Sequence, residues 1–382
     1  MIPAISVRGN QRTRSTCPAD LGTTGQLEDP TTTMQTTRFR KTLWRRLALI
    51  GLLAWHAQYL GATYEPTDTD IRFVGRWDKQ DAHAYHSYWG GAYLEVRFTG
   101  TTAKVILGKA TSLLVNFDHT CDRILNNVNG VVDLTPIPLP PGAHFLRLAA
   151  YFDEKEILFK GLILDEGAVT LPPMETKREI IEFIGDSVTS GADCPYGDGD
   201  SYAWHTARLL GMDHTQISDP GIALVDGVNA IAGMERAYLR LKTPNYTSDN
   251  PEWTFAYVPD AVVINLGSND YYSKCPPEKF QNHYVKFLGV LRARYPQAKI
   301  FALRLFHGWY ETAVRDAVAA RNAAGDPNVH FVDTTGWLAG YGEPASSDFV
   351  QKSRPSVHPS QTGHVKVARH LSEMLRTYLT SP

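Results

Sequence analysis

The stretch Ile180-Ile181-Glu182-Phe183-Ile184-Gly185-Asp186-Ser187 decides how the second half of this chain folds. Its apolar run is too short for a helix and closes on Gly-Asp-Ser, which predicts a buried strand ending in a tight turn. Downstream, Tyr202 to Leu210 reads as a helix, Ala261 to Leu266 as a strand and Pro277 to Arg294 as a helix. Lys299 to Leu305 and Val329 to Val332 read as strands, and helical spacing returns from Gly363 to Leu379. Apolar strands alternating with helices mean a parallel sheet covered on both faces. In such sheets, ligands gather at the carboxyl ends of the strands.

Before that strand the spacing changes to period two. In Ala92-Tyr93-Leu94-Glu95-Val96-Arg97-Phe98, Ala, Leu, Val and Phe share one face, which predicts a half-buried strand. Similar runs occupy Ala103 to Leu107, Leu113 to Phe117, His144 to Tyr151 and Ile157 to Leu164, each bounded by Gly, Pro, Asn or Asp. Several short strands with turn signals and no helical spacing imply an antiparallel β-sandwich over residues 63–166. Pro172-Pro173 stiffens residues 167–178, which read as a linker to the α/β domain at 179–382.

The chain of 382 residues carries 38 Lys+Arg and 40 Asp+Glu, a formal charge of −2, and is 43% apolar. That composition excludes disorder as the main state, and its near-neutral charge argues against a nucleic-acid partner. The charge is unevenly spread: residues 1–62 hold eight Lys/Arg against three acids, so this leader is +5 and the remainder −7. Within it Arg45-Arg46, the apolar run Leu47 to Trp55 and the small pair Gly61-Ala62 follow the order of a secretory signal, with translation starting at Met34. The apolar run falls well short of the ~20 residues that span a bilayer. The expectation is a secreted monomer with no stable membrane span after cleavage, a signal anchor at the membrane being the alternative. Asn245-Tyr246-Thr247 is an N-glycosylation acceptor sequence in a Pro/Asn/Ser-rich stretch.

Three short motifs follow predicted strands or precede the last helix. Ser187 stands on the turn after the first strand, exposed where such sheets present ligands, as a nucleophile requires; read alone, Asp186-Ser187 serves equally as a helix cap. In Gly267-Ser268-Asn269-Asp270, the Asn269 amide suits a developing oxyanion, or Asn-Asp forms a turn. His358, in Ser356-Val357-His358-Pro359-Ser360, offers the base that a serine hydroxyl needs near neutral pH.

Taken together, Gly185-Asp186-Ser187, Gly221 after a second strand, Gly267-x-Asn269-Asp270 and His358 resemble the SGNH, or GDSL-type, hydrolases from Glu179 onward. The preceding sandwich, with Gly75-Arg76 and Phe159-Lys160-Gly161-Leu162, and the segment Gly221-Ile222-Ala223-Leu224 narrow the resemblance to carbohydrate esterase family 2. It implies a flavodoxin-like three-layer parallel sheet behind a jelly-roll domain, and a metal- and cofactor-independent esterase acting on acetylated carbohydrate. Ser187 would be the nucleophile and His358 the general base. The Ser187 and Gly221 backbone N–H groups and the Asn269 side chain would form the oxyanion hole. Small-ester or lipid hydrolysis at the same site is the alternative activity, and carbohydrate binding without catalysis the alternative of another class.

The resemblance has one gap. SGNH enzymes place an Asp two or three residues before the catalytic His to hold its tautomer. Here Pro355 and Ser356 stand at those positions, so the expectation is a Ser187–His358 dyad; Asp348, the nearest acid upstream, is not assigned the role. Asp193, Asp198 and Asp200 resemble part of a calcium loop without its bidentate Glu and read as a solvated loop. His364 reads as structural at the start of the last helix. Cys194 and Cys275 each follow a site motif by a few residues, and a disulfide between them, leaving Cys121 free, is the expectation. Tyr271, Tyr272 and Trp309 fall in loops near the site and could stack on a sugar ring or serve as packing.

Overall fold

The computed structural model describes residues 61–150, 156–174, 179–339, 348–351 and 355–379. The leader therefore lies outside the described residues up to position 60, Met34 and the basic and apolar runs included. From Ala62 to Leu171 every strand pairs antiparallel within one ten-stranded sheet. The period-two reading holds at Tyr93–Gly100, where Leu94, Val96 and Phe98 turn into a core with Leu146, Leu148, Phe159 and Leu162.

Two of the expected strands are one. Ala103–Phe117 runs unbroken for 15 residues, with register shifts between Leu107 and Leu113 that interrupt the alternation. Its partner Arg123–Asp133 has no counterpart among the predicted strands, because its centre, Asn126-Asn127-Val128-Asn129-Gly130, is polar and half exposed. Thr170–Leu171, inside the expected linker, pairs with Arg97 and Phe98 and so closes the first sheet.

The second sheet is wholly parallel. Its strands are β1 (Ile180–Gly185), β2 (Asp213–Ser218), β3 (Ala261–Asn265), β4 (Lys299–Leu303) and β5 (Val329–Val332), in the order β2-β1-β3-β4-β5. Helices cover both faces. Pro277–Arg294 (α2) and Glu311–Ala323 (α3) bury Phe280, Tyr284, Phe287, Val314 and Val318 against one face. Tyr202–Leu210 (α1) and Gln361–Leu379 (α4) bury Tyr202, Val367 and Leu371 against the other. The chain thus pairs an antiparallel sheet domain with a doubly wound parallel one.

The two domains meet along the β2 edge. Arg72 forks onto both oxygens of Asp213 and reaches Glu95, while Tyr93 donates its hydroxyl to Asp213 at 3.0 Å. Arg76, fully buried, donates to the Tyr238 and Arg240 carbonyls at 2.6 and 2.9 Å and lies within 6 Å of the Trp89, Tyr238, Trp253 and Phe255 ring centres. It supplies the positive charge for buried Glu182 of β1, whose carboxylate also accepts from the Tyr238 and Tyr257 hydroxyls. Burial pushes the Glu182 carboxyl up, and the Arg76 charge pulls it back.

His364 has the structural part expected of it. It is fully buried under α1, where Nδ1 accepts the Tyr202 N–H at 3.1 Å, and burial holds the imidazole down at about 3. The folded protein keeps it neutral while the unfolded chain protonates it near 6.5. Its contribution to stability is therefore intact above pH 6.5 and declines as pH falls toward 3, by up to about 1.4 kcal/mol per pH unit. In thermal melts of wild type against His364→Asn, the gap in Tm is widest near pH 7 and narrows toward pH 4. A gap that stays constant or widens in acid sinks this account.

Candidate active site

Gly185-Asp186-Ser187 sits where β1 leaves the sheet. At Gly185 a Cβ would stand 2.0 Å from Thr189 Oγ1 and 2.7 Å from the Asn265 carbonyl, so only glycine lets β1, β3 and the turn approach this closely. Asp186 then organises the turn: its carboxylate takes the Val188 N–H and its carbonyl the Thr189 and Ser190 N–H groups. The result aims Ser187 into a cleft of about 780 Å³ lined also by Asp193, Gly221, Asn269, Tyr272 and His358.

His358 arrives from the strand Pro355–Pro359, paired antiparallel with Phe349–Gln351. Its Nε2 lies 2.8 Å from Ser187 Oγ, within range to accept the hydroxyl proton. On the other side, Nδ1 lies 2.6 Å from Asp193 Oδ2. The expected dyad is therefore a triad in geometry, its carboxylate supplied from the loop after the nucleophile instead of from the strand carrying the histidine. Ser356 stands where the acid was missing, and its hydroxyl donates to the same Asp193 oxygen at 3.2 Å. Asp193 is held at φ +69°, a region that Asp tolerates better than most residues, which marks the position as one the fold constrains.

The rest of the acidic group departs further from the sequence reading. Asp198 and Asp200 are buried, not solvated: Asp198 accepts from Gln216 Nε2, and Asp200 from Gln361 Nε2 and the Tyr196 N–H. Asp348 accepts from Lys366 and the Ala339 N–H, away from the imidazole.

The oxyanion donors converge on the same cleft. Gly221, at φ +85°, needs glycine, and Asn229 Nδ2 holds its carbonyl at 2.8 Å. Neither the Ser187 nor the Gly221 backbone N–H has a partner among the described residues, which leaves both open to an incoming anion. Asn269 donates one amide hydrogen to the Ile222 carbonyl at 2.9 Å. Its neighbour Asp270 accepts the Leu224 and Val225 N–H groups at 2.8 and 3.0 Å, so the motif after β3 clamps the loop after β2. Burial pushes Asp270 up to about 6.

Tyr271, Tyr272 and Trp309 form one cluster, which reaches the cleft through Tyr272. Tyr271 stacks on Trp309 at 4.3 Å, Tyr272 meets it edge-on at 5.2 Å, and both tyrosines are about half exposed. His307 extends the stack beneath Trp309 and donates Nε2–H to the Val357 carbonyl, bracing the strand that carries His358. Burial holds His307 at about 4, so it stays neutral there.

The cysteine pairing is wrong. Cys194 and Cys275 are free and buried, and Cys121, expected free, is disulfide-bonded. A shared rim does not bring two thiols together: Cys194 turns toward the Pro359 carbonyl, and Cys275 packs into the core near Phe280. Burial, with the charges of Asp200 and Asp193, pushes the Cys194 thiol up to about 12 and leaves it unreactive. Asn245 is exposed on a turn closed by the Tyr246 N–H and the Thr243 carbonyl, remote from the catalytic cleft.

Residues 183–366 match the GDSL-like lipase/acylhydrolase family, and residues 73–173 the carbohydrate esterase 2 N-terminal family. Over 83% of its length the chain is 28% identical to the cellulase/esterase CelE of Acetivibrio thermocellus, and over 58% it is 26% identical to an acetylxylan esterase / glucomannan deacetylase of Cellvibrio japonicus. The aligned regions span 40% and 63% of those two proteins. Among solved structures, a family two carbohydrate esterase from Clostridium thermocellum in complex with cellohexaose superposes with a TM-score of 0.68. That match is 27% identical in sequence and covers 81% of this chain and 99% of the other.

Proposed function

We propose that the chain, whose residues 73–173 match the carbohydrate esterase 2 N-terminal family and residues 183–366 the GDSL-like lipase/acylhydrolase family, is a serine esterase that removes acetyl groups from carbohydrate. The observation that carries this reading is the line Ser187–His358–Asp193, at 2.8 and 2.6 Å, opening on a cleft edged by unused backbone donors. The carboxylate of Asp193 weakens the binding-only alternative, for which the missing acid was one of two grounds and the sandwich domain the other.

Ser187 Oγ attacks the acetyl carbonyl carbon while His358 Nε2 takes its proton. The Ser187 and Gly221 N–H groups and the second Asn269 amide hydrogen hold the oxyanion. As the bond to the sugar oxygen breaks, His358 returns the proton to that oxygen and the acetyl group stays on Ser187. Water then attacks the acyl carbon, His358 takes its proton, and acetate leaves as Ser187 regains its hydrogen. Asp193 holds the imidazole with Nε2 facing Ser187 and stabilises the transient imidazolium. The ledge of Tyr271, Tyr272 and Trp309 would receive the sugar ring. A jelly-roll topology for the first domain, export directed by the leader and glycosylation at Asn245 belong to the same reading, since a polymeric substrate must be met outside the cell. Among the described residues no helix is long and apolar enough to cross a membrane.

Initial rates on acetylated xylan and mannan oligosaccharides, short-chain nitrophenyl esters and long-chain esters test the proposal. Acetyl esters turn over fastest; a preference for long acyl chains makes the protein a lipid hydrolase instead, and no turnover of any ester ends the enzyme reading. Asn269→Ala lowers kcat by about 10²–10³-fold with little change in KM, since the donor acts on charge that exists only in the transition state. An effect confined to KM removes Asn269 from the oxyanion hole.

A further inference from the structure

The loop 191–200, which carries Asp193, has two faces. Asp193, Cys194, Pro195, Gly197 and Asp198 line the cleft. The back of the loop lies against the first domain. Tyr196 packs on a cluster formed by Val74, Tyr93, Leu114, Ala149 and Trp204, which draws on both domains. Gly199 passes so close to Leu114 that a Cβ there would stand 2.6 Å from Leu114 Cδ1. At Gly90, in the turn after Trp89, a Cβ would stand 2.6 and 2.7 Å from the two carboxylate oxygens of Asp198. Next to it Gly91, at φ +65°, lies so close to Gln216 that a Cβ would stand 2.7 Å from Oε1. Gln216 in turn donates to Asp198 and to the Thr189 carbonyl, two residues beyond the nucleophile.

The loop has little freedom of its own to take up an error at its back. Gly191 lies so close to the Gly197 carbonyl that a Cβ would stand at 2.2 Å, and Asp200 is tied to Gln361 of α4. Buried, close-packed contacts transmit displacement instead of absorbing it. A shift forced at Asp198 or Gly199 therefore moves Asp193 relative to His358.

We propose that Gly90 and Leu114 of the first domain are positioning residues for the reaction: they fix the loop 191–200 from behind and thereby set Asp193 against the imidazole. The first domain is on this account a part of the catalytic apparatus and not only a neighbour that contributes affinity. The inference rests on the esterase reading above and on Asp193 as the group that orients His358.

The test is a double-mutant cycle in the full chain, read as kcat and KM on a small soluble ester, nitrophenyl acetate, too small to reach any glycan-binding surface. Gly90→Ala and Leu114→Ala each lower kcat by about 10–100-fold, with KM within about twofold, because misplacing a catalytic group by ~1 Å costs rates of this order. In an Asp193→Asn background the same changes cost less than about threefold, since the group they position no longer acts. A merely structural role predicts equal losses in both backgrounds, and that result, or an unchanged kcat in the single variants, overturns the proposal. Ile137→Ala, an exposed change in the same domain, leaves kcat and KM at wild-type values. If the alanine variants do not fold, Leu114→Val, which removes one methylene from the contact, reads the same cycle. A wild type without esterase activity overturns the functional reading itself, whereas an active wild type whose variants keep their kcat overturns this inference alone.

Discussion

Ser187→Ala lowers kcat for acetyl ester hydrolysis by about 10⁶-fold, to the residual rate that the oxyanion donors and binding alone provide. The size follows from the chemistry: without Oγ no acyl-enzyme forms, and water must attack the ester directly in a site shaped for another nucleophile. His358→Ala has nearly the same effect, and the double variant is no worse than either single one, because base and nucleophile act as a unit at 2.8 Å. The Ser187→Ala substitution removes one oxygen at a site only 9% exposed and leaves the Asp186 turn intact, so the fold persists. A pre-steady-state burst of nitrophenol from nitrophenyl acetate, present in wild type and absent in Ser187→Ala, checks the covalent step. Hydrolysis by the variant within tenfold of wild type would remove Ser187 from the mechanism.

Asp193→Asn lowers kcat by about 10³–10⁴-fold. An amide in this place offers N–H to Nδ1 instead of accepting from it, which favours the tautomer with its proton on Nε2, facing Ser187, where it cannot accept the hydroxyl proton. Asn is the informative substitution because, like Asp, it tolerates the φ of +69° at this position, whereas Ala would add backbone strain to the loss of charge. Ser356→Ala, which removes the hydroxyl that supports the carboxylate at 3.2 Å, has a far smaller effect and separates the acid from its support. An Asp193→Asn enzyme within about threefold of wild-type kcat would return the site to a dyad.

The contrast between Ser187 and Asp193 shows how far the sequence carries a reader. Ser187 and Asn269 stand beside the ends of strands whose apolar runs are plain in one dimension, His358 stands just ahead of the last helix, and topology then brings all three to one rim. Asp193 has no such anchor. It reaches His358 across 165 positions of chain through a loop conformation that rests on Gly191, buried Asp198 and the other domain, none of which leaves a periodic trace. Strand β2, expected ahead of Gly221, has no apolar run to mark its place for a related reason. Its sequence, Asp213-His214-Thr215-Gln216-Ile217-Ser218, is polar yet wholly buried, because this edge is spent on the first domain: Asp213 meets Arg72 and Tyr93, His214 lies between Tyr93 and Trp204, and Gln216 reaches Asp198. Hydropathy reads a strand facing water or apolar layers and misses one that faces a polar interface. The cysteine error is of the same kind, since sequence distance from a motif fixes which rim a residue reaches and not where its side chain points.

The buried guanidinium of Arg76 has a consequence for how such proteins can be rearranged. Its charge and that of Glu182 belong to different domains, and each lies fully out of water. Separating the halves, or grafting the second onto a foreign partner, leaves buried Glu182 with the Tyr238 and Tyr257 hydroxyls and no counter-charge, and breaking a buried pair in other proteins costs about 3–5 kcal/mol. The boundary that looks most modular along the sequence is thus the one least open to recombination.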